Sequence, residues 1–225
     1  RNPAYNIEMK AGITSFGMGR GAVYMVEPDG SYRVGTSEDA IQVAKLFQSM
    51  ELLEHYNPLI FPGDIDPANV QLWMAKLMAE YTDKPAIYTG REDIELIALS
   101  YGTTPKKMAE RTDLSCSYGR TTGIVTSPLS ITESDLENII AYAEHGIAFH
   151  NASMPISCTS GPCTLAGLVV LQNCENLAPI VLSQLIRPGC PVFYGAIGGS
   201  VDMRSLRPRF GSVEAMLMER CGVQM

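Results

Sequence analysis

Short apolar runs that alternate with helical stretches constrain this chain more than any other feature. The runs are Pro58–Phe61, Ala86–Tyr88, Gly123–Thr126, Ile147–His150 and Val192–Tyr194, and turn chemistry such as Pro62-Gly63-Asp64, Gly90 or Ser127-Pro128 closes them. Ser37 reads as an N-cap, followed by Ala40, Ile41, Ala44, Phe47 and Met50 at helical spacing to about Leu53. Asp66-Pro67 opens a second helix, with Val70, Trp73, Met74 and Leu77 on one face, that ends near Asp83. Glu92–Ser100 and Pro105–Arg111 are helical. Thr132–Ser134 caps a helix that points Leu136, Ile139, Ile140 and Tyr142 inward and stops at Gly146. A long helix runs from about Pro162 to Ile186, with a kink or break expected at Pro179, and the last starts near Ser212. A strand that is apolar on both faces needs helices on both sides. Fivefold alternation therefore reads as βα units around a parallel sheet.

Two closures fit that pattern, a (β/α) barrel and an open doubly wound sheet. The first βα turn, Pro62-Gly63-Asp64-Ile65-Asp66, lacks G-x-G-x-x-G, and no G-x-x-x-x-G-K-[ST] occurs, so neither nucleotide motif has support. The segments before residue 36 (Ile13–Phe16, Ala22–Val26 and Tyr32–Val34) are β-type runs parted by Gly-rich and Pro28-Asp29-Gly30 turns. A closed barrel takes eight strands and about 250 residues. The expectation for 225 residues is thus a β-hairpin layer over 1–36 and a partial TIM-type (β/α) barrel over 37–225. Arg1 in place of Met, and an end at Cys221–Met225 that reads like a helix terminus, place the remaining strands outside these residues. A barrel short of strands exposes sheet edges, so self-association, including homo-oligomers, is expected.

Composition narrows the function classes. Hydrophobic residues make up 46% and charged residues 18%, which is globular rather than disordered. Net charge is 17 − 24 = −7. An acidic chain without a Lys/Arg cluster is a poor partner for nucleic acid or an anionic membrane. The most apolar stretch, Leu165–Ile186, is interrupted by Gln172, Asn173, Glu175, Asn176 and Pro179, so no membrane span is read there, and no signal peptide is visible. Six Cys without a C-x-x-C read as reduced thiols of a cytoplasmic protein. Three scattered His (55, 145 and 150) argue against a His-based metal centre.

In parallel α/β folds the chemistry sits beyond the strand C-terminal ends. Those ends carry Asp64 and Asp66, Gly90 and Arg91, Ser127 and Pro128, then His150, Asn151, Ser153 and Met154, and last Tyr194, Gly195, Asp202 and Arg204. Plainer readings stand beside these. Asp66 before Pro67 reads first as a helix cap, Asp202 with Arg204 as a local ion pair, His150 as a buried structural imidazole, and Cys158 and Cys163 as small residues at a helix start rather than a thiol pair. No G-x-S-x-G and no His-paired nucleophile appears.

From Pro162-Cys163-Thr164-Leu165-Ala166-Gly167 onward the residues become specific. They continue through Gln172-Asn173-Cys174-Glu175, Leu177-Ala178, Gln184–Gly195, Asp202-Met203-Arg204 and Phe210-Gly211. Arg1-Asn2-Pro3, Thr82-Asp83-Lys84-Pro85 and Ser127-Pro128-Leu129 agree. Together these resemble the trimethylamine–corrinoid methyltransferase (MttB) family. The resemblance implies a (β/α) barrel longer than this chain and transfer of a methyl group from a methylated amine to cobalt. The corrinoid (cobalamin) would ride on a separate corrinoid protein, with none bound tightly here. Family members acting on trimethylamine carry pyrrolysine, and relatives without it are similar to enzymes for quaternary amines such as glycine betaine. No such residue stands in this sequence, and the resemblance leaves open whether one belongs beyond Met225.

A quaternary ammonium already holds its leaving group, so alignment matters more than acid–base work. Aromatic faces hold such a cation at about 0.5–2 kcal/mol each. Tyr194 is the first candidate, Asp202 adds attraction, Arg204 suits a betaine carboxylate, and His150 and Asn151 line the pocket. No catalytic residue is assigned. The alternatives are a lyase- or aldolase-type barrel, for which Lys84 lies at the wrong end of its strand, and a non-catalytic quaternary-ammonium-binding protein.

Overall fold

The computed structural model describes residues 14–17, 19, 21–85, 93–100, 102–108, 122–123 and 125–225. The chain forms two compact units, Arg1–Ser100 and Tyr101–Met225.

In the first unit β1 (Tyr24–Val26) and β2 (Tyr32–Val34) pair antiparallel, Met25 opposite Arg33. An arginine on β2 ties this hairpin to the first helix. The Arg33 guanidinium grips both carboxylate oxygens of Asp39 at 2.6 and 2.8 Å and reaches Glu27 at 2.6 Å. Asp39 lies in the first turn of α1 (Ser37–Ser49). The cap is Thr36, one residue before the expected Ser37: its hydroxyl accepts from Asp39 N while Asp39 accepts from Thr36 N, a reciprocal capping box. The helix stops at Ser49, short of Leu53, where buried Lys84 donates to the carbonyls of Phe47 (3.1 Å) and Met50 (2.5 Å). α2 (Val70–Tyr81) begins after a turn that Asp66 closes by accepting from Ala68 N, and α3 (Asp93–Ser100) comes after it in the chain. Ala40, Ala44, Phe47, Tyr56, Ile60, Leu77 and Met78 form the core, with Phe47 and Tyr56 rings 4.9 Å apart. The expected strand Pro58–Phe61 appears as isolated bridging: Ala22 bridges Ile60 in parallel, and its amide and carbonyl bond Leu59 O and Phe61 N at 2.8 Å. The expected strand Ala86–Tyr88 lies outside the described residues.

The second unit holds α4 (Pro105–Met108), β3 (Thr122–Gly123), α5 (Glu133–Glu144), β4 (Phe149–Ser153), α6 (Leu165–Ile186), β5 (Val192–Ala196), β6 (Ser200–Val201), β7 (Pro208–Arg209) and α7 (Val213–Gln224). The strand order β3-β4-β5 is parallel, with Thr122 beside His150 and His150 beside Phe193. Thr132, Thr164 and Ser212 cap α5, α6 and α7 through their hydroxyls. α5 ends in a Schellman motif: Gly146, at φ +64°, donates to Ala143 O and Ile147 N donates to Tyr142 O. The architecture is mixed α/β with a parallel sheet, and the described residues form no closed barrel.

The expected break at Pro179 does not occur. α6 runs uninterrupted for 22 residues. A proline at 179 leaves the Glu175 carbonyl without its helical N–H. The Asn151 side chain replaces that donor, with Nδ2 at 3.3 Å from Glu175 O. By length and composition alone α6 is long and apolar enough to cross a membrane, unlike the expectation from its interruptions. Its polar residues Gln172, Glu175, Asn176 and Ser183 are buried, and the first three are bonded within this unit to residues beside or within the parallel sheet. These bonds fix the polar side of α6 to the sheet.

Candidate active site

β4 decides where the candidate residues go. Side chains alternate along a strand. Asn151 therefore faces α6, and His150 and Ala152 face the other way. On β5 the neighbour of Asn151 is Tyr194 and the neighbour of Ala152 is Gly195. A β-carbon at Gly195 would lie 2.5 Å from His150 Nε2 and 2.6 Å from Ala152 Cβ, so the half-buried imidazole rests over Gly195 on the face turned away from α6. Tyr194 instead donates its hydroxyl to Asn173 Oδ1 on α6 at 3.1 Å, with Met225 Sδ at 3.5 Å. The first aromatic candidate thus sits under helices, not beside His150.

The helix-covered face is a hydrogen-bond network. Asn151 Nδ2 donates to Asn176 Oδ1 at 2.7 Å, and Ser153 N donates to the same oxygen at 3.1 Å. Asn176 Nδ2 donates to Gly195 O at 2.7 Å, and Gln172 Nε2 to Ser153 O at 3.3 Å. Glu175 is buried and accepts from Ser127 Oγ at 2.8 Å, from Leu129 N at 2.9 Å and from Ser153 Oγ. One carboxylate thereby fixes the loop after β3 to the end of β4. Reading the sequence missed Gln172, Glu175 and Asn176 as a group. Their signal was available: i, i+3, i+4 spacing puts them on one face of an apolar helix.

Asp202 and Arg204 lie in the β6–β7 connection. Asp202 accepts from the amides of Ser205 and Arg204, both at 2.9 Å, and these bonds hold its carboxyl below the usual range. Its ion partner is Arg209, at 3.8 Å, and not the expected Arg204. Arg204 is exposed. In the first unit Asp64 accepts from Ser37 N and Oγ, both at 2.7 Å, so both early acids serve local turns and helix starts. Gly90 and Arg91 lie outside the described residues. The loop beyond β4 brings Cys158 and Cys163 together, and Ser157 Oγ touches both residues.

A corrinoid needs an open imidazole or a broad cradle. His145 Nδ1 is within 2.7 Å of Ala141 O, His55 Nδ1 is bonded to Ser15 Oγ, and His150 fills the space over Gly195. Among the described residues, no cluster of three or more His, Cys, Asp and Glu is placed to hold a metal ion.

The whole chain, residues 1–225, matches the family described as trimethylamine methyltransferase (MTTB). Two relatives come from Desulfitobacterium hafniense. A trimethylamine methyltransferase MttB is 30% identical over 95% of this chain and 43% of its own length. A glycine betaine methyltransferase is 32% identical over 100% of this chain and 47% of its own length. A proline betaine:corrinoid methyltransferase of Eubacterium limosum is 26% identical over 88% of this chain and 42% of its own length. The chain spans less than half the length of each of these curated relatives.

Proposed function

The chain belongs to the trimethylamine methyltransferase (MTTB) family, and from that membership we propose that it serves methyl transfer from a tertiary or quaternary methylated amine to the cobalt of a corrinoid protein. The match over all 225 residues carries this reading. The names of the relatives support its substrate class, because trimethylamine, glycine betaine and proline betaine share a methylated nitrogen. The parallel sheet supports a (β/α) barrel as the full architecture. A cytoplasmic enzyme, not bound to nucleic acid or membrane, fits its acidic charge and its thiols.

The chain's part in such a transfer is to bind and align. Attack on a methyl carbon needs the nitrogen, carbon and acceptor in line, and such alignment supplies much of the rate. His150 over Gly195 offers an imidazole face on the side of the sheet free of α6, where a cation would lie. Arg204, exposed in the β6–β7 connection, is the residue we assign to a betaine carboxylate, which its guanidinium suits. Asp202 shapes the loop that carries it. Asn151 and Tyr194 act by positioning, since their polar atoms are engaged with α6.

The test mixes the protein with a reduced corrinoid protein and trimethylamine, glycine betaine or proline betaine, and follows the cobalt spectrum. The expected result is methyl-cobalt formation with at least one amine, slowed by His150→Ala. Binding of an amine with no methylation of any corrinoid partner overturns the proposal in favour of a binding protein.

A further inference from the structure

The segment beyond β4 is a tight, well-bonded loop that presents two thiols. The Ile156 carbonyl accepts from the amides of Thr159, Ser160 and Gly161 at 3.1–3.2 Å, and Ser157 N donates to Gly199 O at 3.0 Å. Cys158 sits at the turn in the left-handed region, φ +62°, a conformation that a residue with a β-carbon adopts only when its surroundings impose it. Ser157 Oγ lies 3.5 Å from Cys158 Sγ and donates to the Cys163 carbonyl at 3.3 Å, so one hydroxyl touches both cysteines. Cys163 directly precedes Thr164, the cap of α6. Both side chains are exposed and neither is in a disulfide.

We propose that Cys158 and Cys163 are a reversible dithiol–disulfide pair, closed by exchange with a small disulfide such as oxidised glutathione. The Cys158 thiolate attacks one sulfur of the small disulfide, its S–S bond breaks, and one thiolate leaves and takes a proton from water. Cys163 gives its proton to water and attacks the Cys158 sulfur. The mixed disulfide breaks, the Cys158–Cys163 bond forms, and the second small thiol leaves. Two protein thiols are oxidised and one small disulfide is reduced to two thiols. The order of roles comes from the local bonds. Ser157 Oγ, 3.5 Å from Cys158 Sγ, supports a thiolate there, and contact with Cys163 and then Ser157 lowers the Cys158 thiol while raising Cys163, which makes Cys158 the attacking sulfur and Cys163 the resolving one. Transient pairs of this kind are the sort a reducing compartment tolerates. Closure ties the loop beyond β4 to the start of α6, the helix whose polar face fixes the ends of β3 and β4.

The experiment uses the reduced chain. Under limiting iodoacetamide, Cys158 is expected to be alkylated several-fold faster than Cys174, which is also exposed. With oxidised glutathione, the parent is expected to lose two hydrogens in mass and retain no glutathione. Cys163→Ser is expected to keep one glutathione on Cys158, and Cys158→Ser to take up little. Equal alkylation of Cys158 and Cys174, or the same retained glutathione on the parent and on Cys163→Ser, overturns the proposal. The alkylation comparison needs no variant and so does not depend on how either substitution folds.

Discussion

A methyl group at position 195 has nowhere to go. Gly195→Ala would press on His150 Nε2 and Ala152 Cβ, and overpacking of this kind costs about 1–3 kcal/mol. The urea midpoint of the variant should fall accordingly. Glu175 gives the opposite kind of prediction, a loss of partners. Glu175→Ala strands the Leu129 amide and two serine hydroxyls, and unfolding free energy should drop by roughly 2–4 kcal/mol. Glu175→Gln should cost less, because hydroxyls can turn to accept from an amide while Leu129 N keeps an oxygen. At this scale the sequence named the residues at the strand ends but not their directions. His150 and Asn151 were placed in one pocket although they are adjacent on β4, and a strand sends adjacent side chains to opposite faces. Tyr194 parted from His150 for the same reason, since its register partner is Asn151.

Helix ends and helix interiors carry the next predictions. The α1 capping box predicts that Thr36→Ala lowers stability by about 1 kcal/mol. Asp39 adds a pH dependence. Bonding to Arg33, and then to Thr36, holds its carboxyl well below the usual carboxylate range. A carboxyl depressed in the folded state stabilises fully above its unfolded value, near 3.9, and loses that contribution as pH falls through the folded value. Asp39→Asn should melt below the parent at neutral pH, and the gap should narrow only below about pH 4. In α6 the coupling is between Asn151 and Pro179. Asn151→Ala should destabilise the parent by about 1–3 kcal/mol, and less in a Pro179→Ala background, where an N–H returns to the Glu175 carbonyl. A double-mutant cycle on urea midpoints measures the difference. Most helices were legible because caps and spacing are local: Thr132, Ser212 and Gly146 stand where the sequence put them. The continuity of α6 was not legible, because the donor that rescues it comes from another strand.

For the molecule as a whole, apolar residues remain on the outer sides of α6 and α7. Val181 and Leu185 are 56% and 78% exposed, and Val213 and Met216 are similarly open. Exposed apolar rows of this kind drive association. The apparent mass of the 225-residue chain in sedimentation should rise with concentration, and Val181→Lys with Leu185→Lys should shift it toward monomer. Methyl transfer to a corrinoid partner is the functional prediction at the same scale. By itself the sequence determined the α/β class, the order and caps of most helices, the three parallel strands in outline and the family, because periodicity, capping and motif residues are local information. Only the tertiary structure decided that the hairpin joins α1 through Arg33, that Glu175 and Asn176 organise the ends of the strands, and that Cys158 meets Cys163. It also put His150 and Tyr194 on opposite faces. Each of these depends on which groups from distant or oppositely directed positions share a buried space, and spacing along a chain does not encode that.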